Sequence, residues 1–427
     1  MQHGPTAPSR HASSRSARLA PRSAGEQLEA RVAQLWFWEG FYSRRGVDLQ
    51  RYFWPEHLQV TDLDLLAFDF NPYLSRSRYI GEVKSGTGKS APKALDRLIC
   101  LRGLRELVDA ESAELTIAQP PSARVRELAR SLGMVAQSVD DFERRERDTV
   151  AGLTDLGAHG TSALNLTLSV HKICKQDPEM ERAFWFLRSA VWFLEPFTAS
   201  KQLIDLLRRL KRRWTPRDED TDTPALRWLF AEAASVLTLN LVTVAGLSLT
   251  LEHQRFYELV SERLAEGVVP MTEMRRLSES IDNYIAGVLS TANIPANVRT
   301  EAMGAFLPQP PDYAETFAAI TWRIGRNPLA ARSLPRQVDL LIFERVANRR
   351  EVRDSAAQRL GLARPDAARL RSLVAAFLRG CEATTEMLDA AFLLPLPPSL
   401  DTGPTTASET QPNPDQYTLF DSHDSEE

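Results

Sequence analysis

The first sustained apolar periodicity lies in residues 26–41, EQLEARVAQLWFWEGF, where Leu28, Val32, Leu35 and Trp36 recur at helical spacing. That spacing predicts an amphipathic helix with one stripe on a core. The pattern then shortens. Residues 58–69 (LQVTDLDLLAFD) mix alternation with an apolar run, and residues 78–85 (RYIGEVKS) follow a turn with Asn71 and Pro72, so both read as strands. Ser90 is the expected N-cap of the next helix, with Pro92 in its first turn. Its body, KALDRLICLRGLRELV, carries Leu95, Leu98, Ile99 and Leu107 on the apolar side. A strand at 114–119, a helix at 122–133 and a strand at 134–139 follow. The resulting order, helix, three strands, helix, strand, helix, strand, describes an α/β sheet covered by helices over residues 25–148. Two of the first three strands are located by their residues.

From 149 to 395 the strand signal fades and helical patterning takes over, as in DPEMERAFWFLRSAVWFLEPF and HQRFYELVSERLAEG, so an all-α domain is expected there. No fixed-period repeat supports a solenoid. Residues 233–251 carry no charge over nineteen positions, close to the length of a bilayer span. Asn240, the interspersed Thr and Ser residues and the preceding Glu232 favour a buried central helix over a membrane helix. Residues 1–24 hold four arginines and no acid and read as a disordered basic arm. The Pro-, Ser- and acid-rich residues 396–427 read as a disordered tail.

The formal charge of −4 argues against a protein that coats nucleic acid through its global charge, while leaving room for a local basic patch. Cys100, Cys174 and Cys381 lie far apart, without the spacing of a thiolate metal site or a disulfide framework. A reducing, cytoplasmic setting is therefore expected, and the Arg- and Ser-rich N-terminus lacks the apolar segment of a secretory signal.

The chemistry concentrates at Glu82-Val83-Lys84. Two positions apart on one strand, Glu82 and Lys84 project from the same sheet face. Asp64 lies in the preceding strand. If the two strands are neighbours, Asp64 and Glu82 can converge on one divalent ion, for which hard oxygen ligands suit Mg²⁺ or Mn²⁺. Lys84 would then orient or deprotonate the attacking water. The chain has seven lysines among its 52 basic residues, so a lysine at this position stands out.

This set resembles the PD-(D/E)xK nuclease superfamily, which includes restriction endonucleases and Holliday-junction resolvases. The resemblance covers about a third of the chain. It implies a mixed sheet flanked by helices, with Asp64, Glu82 and Lys84 as catalytic residues and Asp64 and Glu82 as metal ligands. The family's first helix often carries a Glu after a leading Gly, which here makes Glu29, in Gly25-Glu26-Gln27-Leu28-Glu29, a further candidate ligand. The helix dipole also favours acids in that turn whatever their function. The literal Pro-Asp pair is replaced by Thr61-Asp62-Leu63-Asp64, which leaves Asp62 as a rival to Asp64.

Ser85-Gly86-Thr87-Gly88-Lys89-Ser90 resembles the end of a phosphate-binding P-loop, but Val83 stands where the leading glycine is needed. A flexible turn admitting a DNA backbone is the better account, with Lys89, Arg97 and Arg102 as candidate DNA contacts. Arg105 shares that polar helix side. The basic run Arg208–Arg213 adjoins Asp218-Glu219-Asp220 and reads as an intramolecular charge match. In the tail, Gln416-Tyr417-Thr418-Leu419-Phe420 resembles the peptide by which bacterial DNA-processing proteins bind the sliding clamp; Gln416, Leu419 and Phe420 would fill its pockets. The expectation is a metal-dependent DNA nuclease of bacterial repair, recombination or defence. The alternatives are an inert nuclease-fold module that binds DNA or protein, and an NTPase.

Overall fold

The computed structural model describes residues 23–49, 62–86, 93–213, 223–267, 269, 271–291, 308–381 and 383–392. The expected Ser90 cap, Pro92, Lys89 and the tail peptide with Gln416, Leu419 and Phe420 lie outside the described residues.

The chain opens with α1 (Ala24–Glu39), held at its start by a reciprocal cap: Glu26 N–H donates to Ser23 Oγ at 3.2 Å, and Ser23 N–H donates to Glu26 Oε2 at 3.1 Å. Three strands follow, β1 (Tyr42–Asp48), β2 (Asp62–Phe70) and β3 (Arg76–Lys84), as an antiparallel meander. Helix α2 (Ala94–Leu107) crosses to β4 (Ser112–Ile117), which runs parallel to β3. Helix α3 (Ala123–Ser131) crosses to β5 (Met134–Ser138), parallel to β4, and α4 (Val139–Val150) ends the series. The sheet is five-stranded and mixed, with spatial order equal to sequence order.

Helices α1 and α4 cover one sheet face, tied by Arg31 to Glu143 at 3.1 Å and to Glu146 at 2.5 Å. Gly81 makes the close packing of α1 feasible. A Cβ there would come within 2.9 Å of both Trp36 Cη2 and Leu65 Cδ1. On the other face α2 and α3 lie over β3, β4 and β5. The buried stripe of α2 is Leu98 and Leu101. Of the residues expected on its apolar side, Leu98 is buried, whereas Leu95, Ile99 and Leu107 are exposed.

The rest of that second face is covered by the helical region. Its first members are α5 (Thr161–Cys174), α6 (Pro178–Arg188) and α7 (Pro196–Arg213). Then comes α8 (Thr223–Ala245), the long apolar helix. It is long and apolar enough to span a bilayer, yet it is buried along almost its whole length, packed by α5, α7, α11 (Ala314–Gly325) and α13 (Leu334–Ile342). Between them, α9 (His253–Ala265), α10 (Met271–Thr291) and α12 (Pro328–Ala331) are added, and α14 (Asp354–Arg359), α15 (Pro365–Gly380) and α16 (Thr385–Phe392) close the described chain. Of the Phe and Trp residues of 184–194, Phe184 and Trp192 are buried, with Trp192 stacked on Phe68 of β2 at 6.2 Å between ring centroids, while Trp185, Phe186 and Phe193 are partly buried against the core.

Sheet and helices share one hydrophobic core, which runs from Leu66, Phe68 and Ile80 through Trp192 to Leu237 and Val338. A buried charge cluster crosses the same boundary. Arg44 on β1 donates from Nε to Glu232 Oε1 of α8 at 2.8 Å and from Nη2 to Asp339 Oδ1 of α13 and to Tyr42 Oη. Removing any member of this triad would leave an uncompensated buried charge, at a cost of several kcal/mol.

Candidate functional site

Strand pairing decides which acids meet. Leu65 pairs with Gly81, and one further step along that antiparallel register sets Asp64 opposite Glu82. Residues opposite one another share a sheet face, so Asp64, Glu82 and Lys84 converge. Lys84 Nζ lies 2.8 Å from Asp64 Oδ2 and 3.4 Å from Glu82 Oε1. Asp64 Oδ2 also accepts the Val83 N–H at 2.8 Å, which fixes the carboxylate against β3. Between the two candidate aspartates, Asp64 is the one held by Lys84. Asp62 is exposed, lies opposite Asp48 across the β1–β2 pair, and feels the charge of Arg188. Asp69 sits at the far end of β2, 3.9 Å from Arg332.

The three side chains form one wall of a cavity of about 400 Å³ at the open end of β2 and β3, with Asp62, Arg97 and Leu101 on the remaining sides. Helix α1 reaches the same end of the sheet: a Cβ on Gly25 would stand 3.5 Å from Ser85 Oγ, just past Lys84. The two acids of its first turns have different fates. Glu26 is spent on the cap, whereas Glu29 is half-buried and coupled to Asp64 and Lys84. Burial, then the charge of Asp64, pushes the Glu29 carboxyl up to about 7, against the opposing pull of Arg45 and Lys84.

Glu82 is almost wholly buried, and burial raises its carboxyl above the usual range; the Asp64 charge adds to this while Lys84 and Arg97 oppose it. Burial alone would lower the Lys84 ammonium, but the hydrogen bond to Asp64 and the charges of Asp64 and Glu82 together outweigh that and hold it above its ordinary value. Lys84 is accordingly a proton-bearing cation at neutral pH, suited to hold an anion or a water molecule.

Among the described residues no group of three His, Cys, Asp or Glu side chains is close enough to bind a metal ion. A cation would rest on Asp64 and Glu82, with Glu29 nearby. The donor set is all oxygen, as Mg²⁺ and Mn²⁺ require, and Glu82 Oε2 is buried without a hydrogen-bond partner among the described residues. An orphaned carboxylate oxygen is a place for a cation, so the residues present fit one.

The candidate DNA contacts fall into two groups. Arg97, in the first turn of α2, is 3.4 Å from Glu82 Oε1 and lines the cavity. Arg102 pairs with Glu106 one turn along at 2.7 Å, and Arg105 donates to the Ala110 and Leu132 carbonyls, so both are engaged in local structure. Three cations of the basic run at the end of α7 are charge-matched, with Asp312 for Arg208, Asp205 and Glu179 for Arg209, and Asp177 and Glu179 for Arg213; Asp218-Glu219-Asp220 lie outside the described residues. No family model, curated protein or solved structure matches this chain.

Proposed function

We propose that the chain is a metal-dependent nuclease that hydrolyses phosphodiester bonds in DNA, with Asp64 and Glu82 as ligands of Mg²⁺ or Mn²⁺ and Lys84 as the group on the attacking water. The observation that carries this reading is the meeting of Asp64, Glu82 and Lys84 within 3.4 Å of Lys84 Nζ on one cavity wall. The order of elements and the change from antiparallel to parallel pairing at β3 support it, since they follow the mixed sheet that the resemblance to PD-(D/E)xK nucleases implies.

When bound, the cation would polarise the scissile phosphate and acidify a water molecule. The chain's own residues do the rest. Lys84, fixed by Asp64, presents N–H donors to the water and to a non-bridging phosphate oxygen, where negative charge grows during in-line attack. Arg97 adds a second cation on the cavity side, and Leu101 contributes apolar surface to its lining.

The test is cleavage of single-stranded, duplex and branched DNA in Mg²⁺ or Mn²⁺. Cleavage is expected to fall by roughly 10²–10⁴ in Lys84→Ala and Glu82→Ala while both variants keep a cooperative melt. A folded wild-type chain that binds Mn²⁺ and cuts none of the three would sink the proposal. One observation favours the rival, an inert module: Asp64 Oδ2 is already shared between Lys84 and the Val83 N–H. In that case Lys84 serves only to neutralise Asp64, and Lys84→Ala changes stability alone. The tail peptide around Leu419 and Phe420 is proposed as a sliding-clamp ligand, which titration of the synthetic peptide against a bacterial clamp would decide.

A further inference from the structure

We propose that Arg97 competes with the divalent cation for Glu82 and, once displaced, becomes the group that grips the substrate's phosphate. The second half rests on the nuclease reading; the first does not.

Arg97 occupies an unusual place. It sits in the first turn of α2, where the helix dipole favours anions and disfavours a guanidinium. Among the described residues no side chain caps that helix start. What offsets the unfavourable placement is Glu82, whose Oε1 is 3.4 Å from Arg97 Nη1. Lys84 leans on the same oxygen at 3.4 Å, but its shorter bond, 2.8 Å, goes to Asp64. Two protein cations therefore share one carboxylate, and Arg97 is the more loosely held and the more exposed of them.

A doubly charged ion on Glu82 would outbid a half-exposed guanidinium and repel it. Swung away from Glu82, the guanidinium remains over the cavity. Of the other two carboxylates lining that cavity, Asp64 is held by Lys84 and Asp62 lies in the field of Arg188. A phosphodiester entering the cavity matches the planar fork of Arg97 with two parallel hydrogen bonds, a geometry a lysine cannot provide. Metal loading and substrate grip would thus be coupled through one side chain.

The experiment titrates Mn²⁺ calorimetrically into the full chain and into Arg97→Ala and Arg97→Gln, each first shown to melt cooperatively. A duplex oligonucleotide is then titrated in Ca²⁺. Mn²⁺ is expected to bind about two- to fivefold more tightly in both variants, the effect of losing one half-exposed competing ion pair. Duplex affinity is expected to fall, with a salt dependence reduced by about one phosphate contact. Unchanged or weaker Mn²⁺ binding in either folded variant overturns the competition. Tighter Mn²⁺ binding with unchanged duplex affinity overturns the phosphate role. Tighter Mn²⁺ binding without cleavage by the wild-type chain would remove the nuclease reading and leave the competition standing, and no Mn²⁺ heat in any protein overturns both.

Discussion

Burial and the neighbouring charge of Asp64 move the Glu29 carboxyl from an ordinary 4.5 up to about 7, and this has a consequence for stability. A group that holds its proton more tightly in the native state than in the unfolded chain favours folding while protonated. That contribution is present below pH 4.5 and is lost as pH rises through 7. Glu29→Gln keeps the shape and removes the titration. Its stability relative to wild type should therefore grow from near zero at pH 4.5 to about 1–2 kcal/mol at pH 8, after allowance for partial exposure. Urea melts at a series of pH values measure this, and a pH-independent difference would refute it. Gly81 offers a second residue-scale test. Its missing Cβ leaves room for the Trp36 indole, 2.9 Å from where that atom would be, one residue before Glu82. Gly81→Ala should cost about 1–3 kcal/mol through overpacking and shift the tryptophan emission. A variant as stable as wild type, with unchanged emission, would show that Trp36 has slack.

Among the elements, β1 shows what pattern reading misses and why. Its sequence, YSRRGVD, places Arg44 and Gly46 on the face of Tyr42 where alternation would need apolar residues, so no residues announce this third strand. Arg44 is nonetheless buried, because Glu232 and Asp339 arrive from helices about 190 and 300 positions along the chain. No local signal can encode a partner that distant. The candidate site divides in the same way. The two-residue spacing of Glu82 and Lys84 on a strand is local, and it was legible. The choice between Asp62 and Asp64 was not, since both lie on one face of β2 and only pairing with β3 selects Asp64. Helix α2 misled for a related reason: Leu95 and Ile99 follow the helical period, but the sheet covers only the stripe of Leu98 and Leu101, and they are left exposed. The buried triad also yields an element-scale expectation. Arg44→Ala should destabilise by about 3–5 kcal/mol, leaving two carboxylates unpaired, and Arg44→Lys should recover little because one ammonium cannot bridge both. Thermal melts of the two variants check this; a lysine variant as stable as wild type would refute the need for the fork.

For the whole molecule, the question is whether the sheet with α1 to α4 can stand alone, as the change to helical patterning near residue 149 suggests. The packing argues that it cannot. The second face of the sheet is covered by α2 and α3 only over β3, β4 and β5; over β1 and β2 the cover is α8, α13 and the segment containing Trp192. Helix α1 is enclosed on its outer side too, where Trp38 Nε1 donates to the Leu153 carbonyl at 3.0 Å and the Phe37 ring lies 4.9 Å from that of His159. A fragment of residues 23–150 would bare Tyr42, Leu66 and Phe68 to water and strand Arg44 on an apolar surface. Exposing three large side chains forfeits roughly 5–8 kcal/mol, comparable to the whole net stability of a small domain. The fragment is therefore expected to show no cooperative melt and to bind a hydrophobic dye, whereas residues 23–392 should unfold in a single transition. A fragment with a sharp melt would mean that the sheet carries its own core and that the helices are an appendage. The active-site proposal would survive that result, but the chain would then have to be read as two folding units joined at α4, with Arg44 serving to dock them rather than to complete one core.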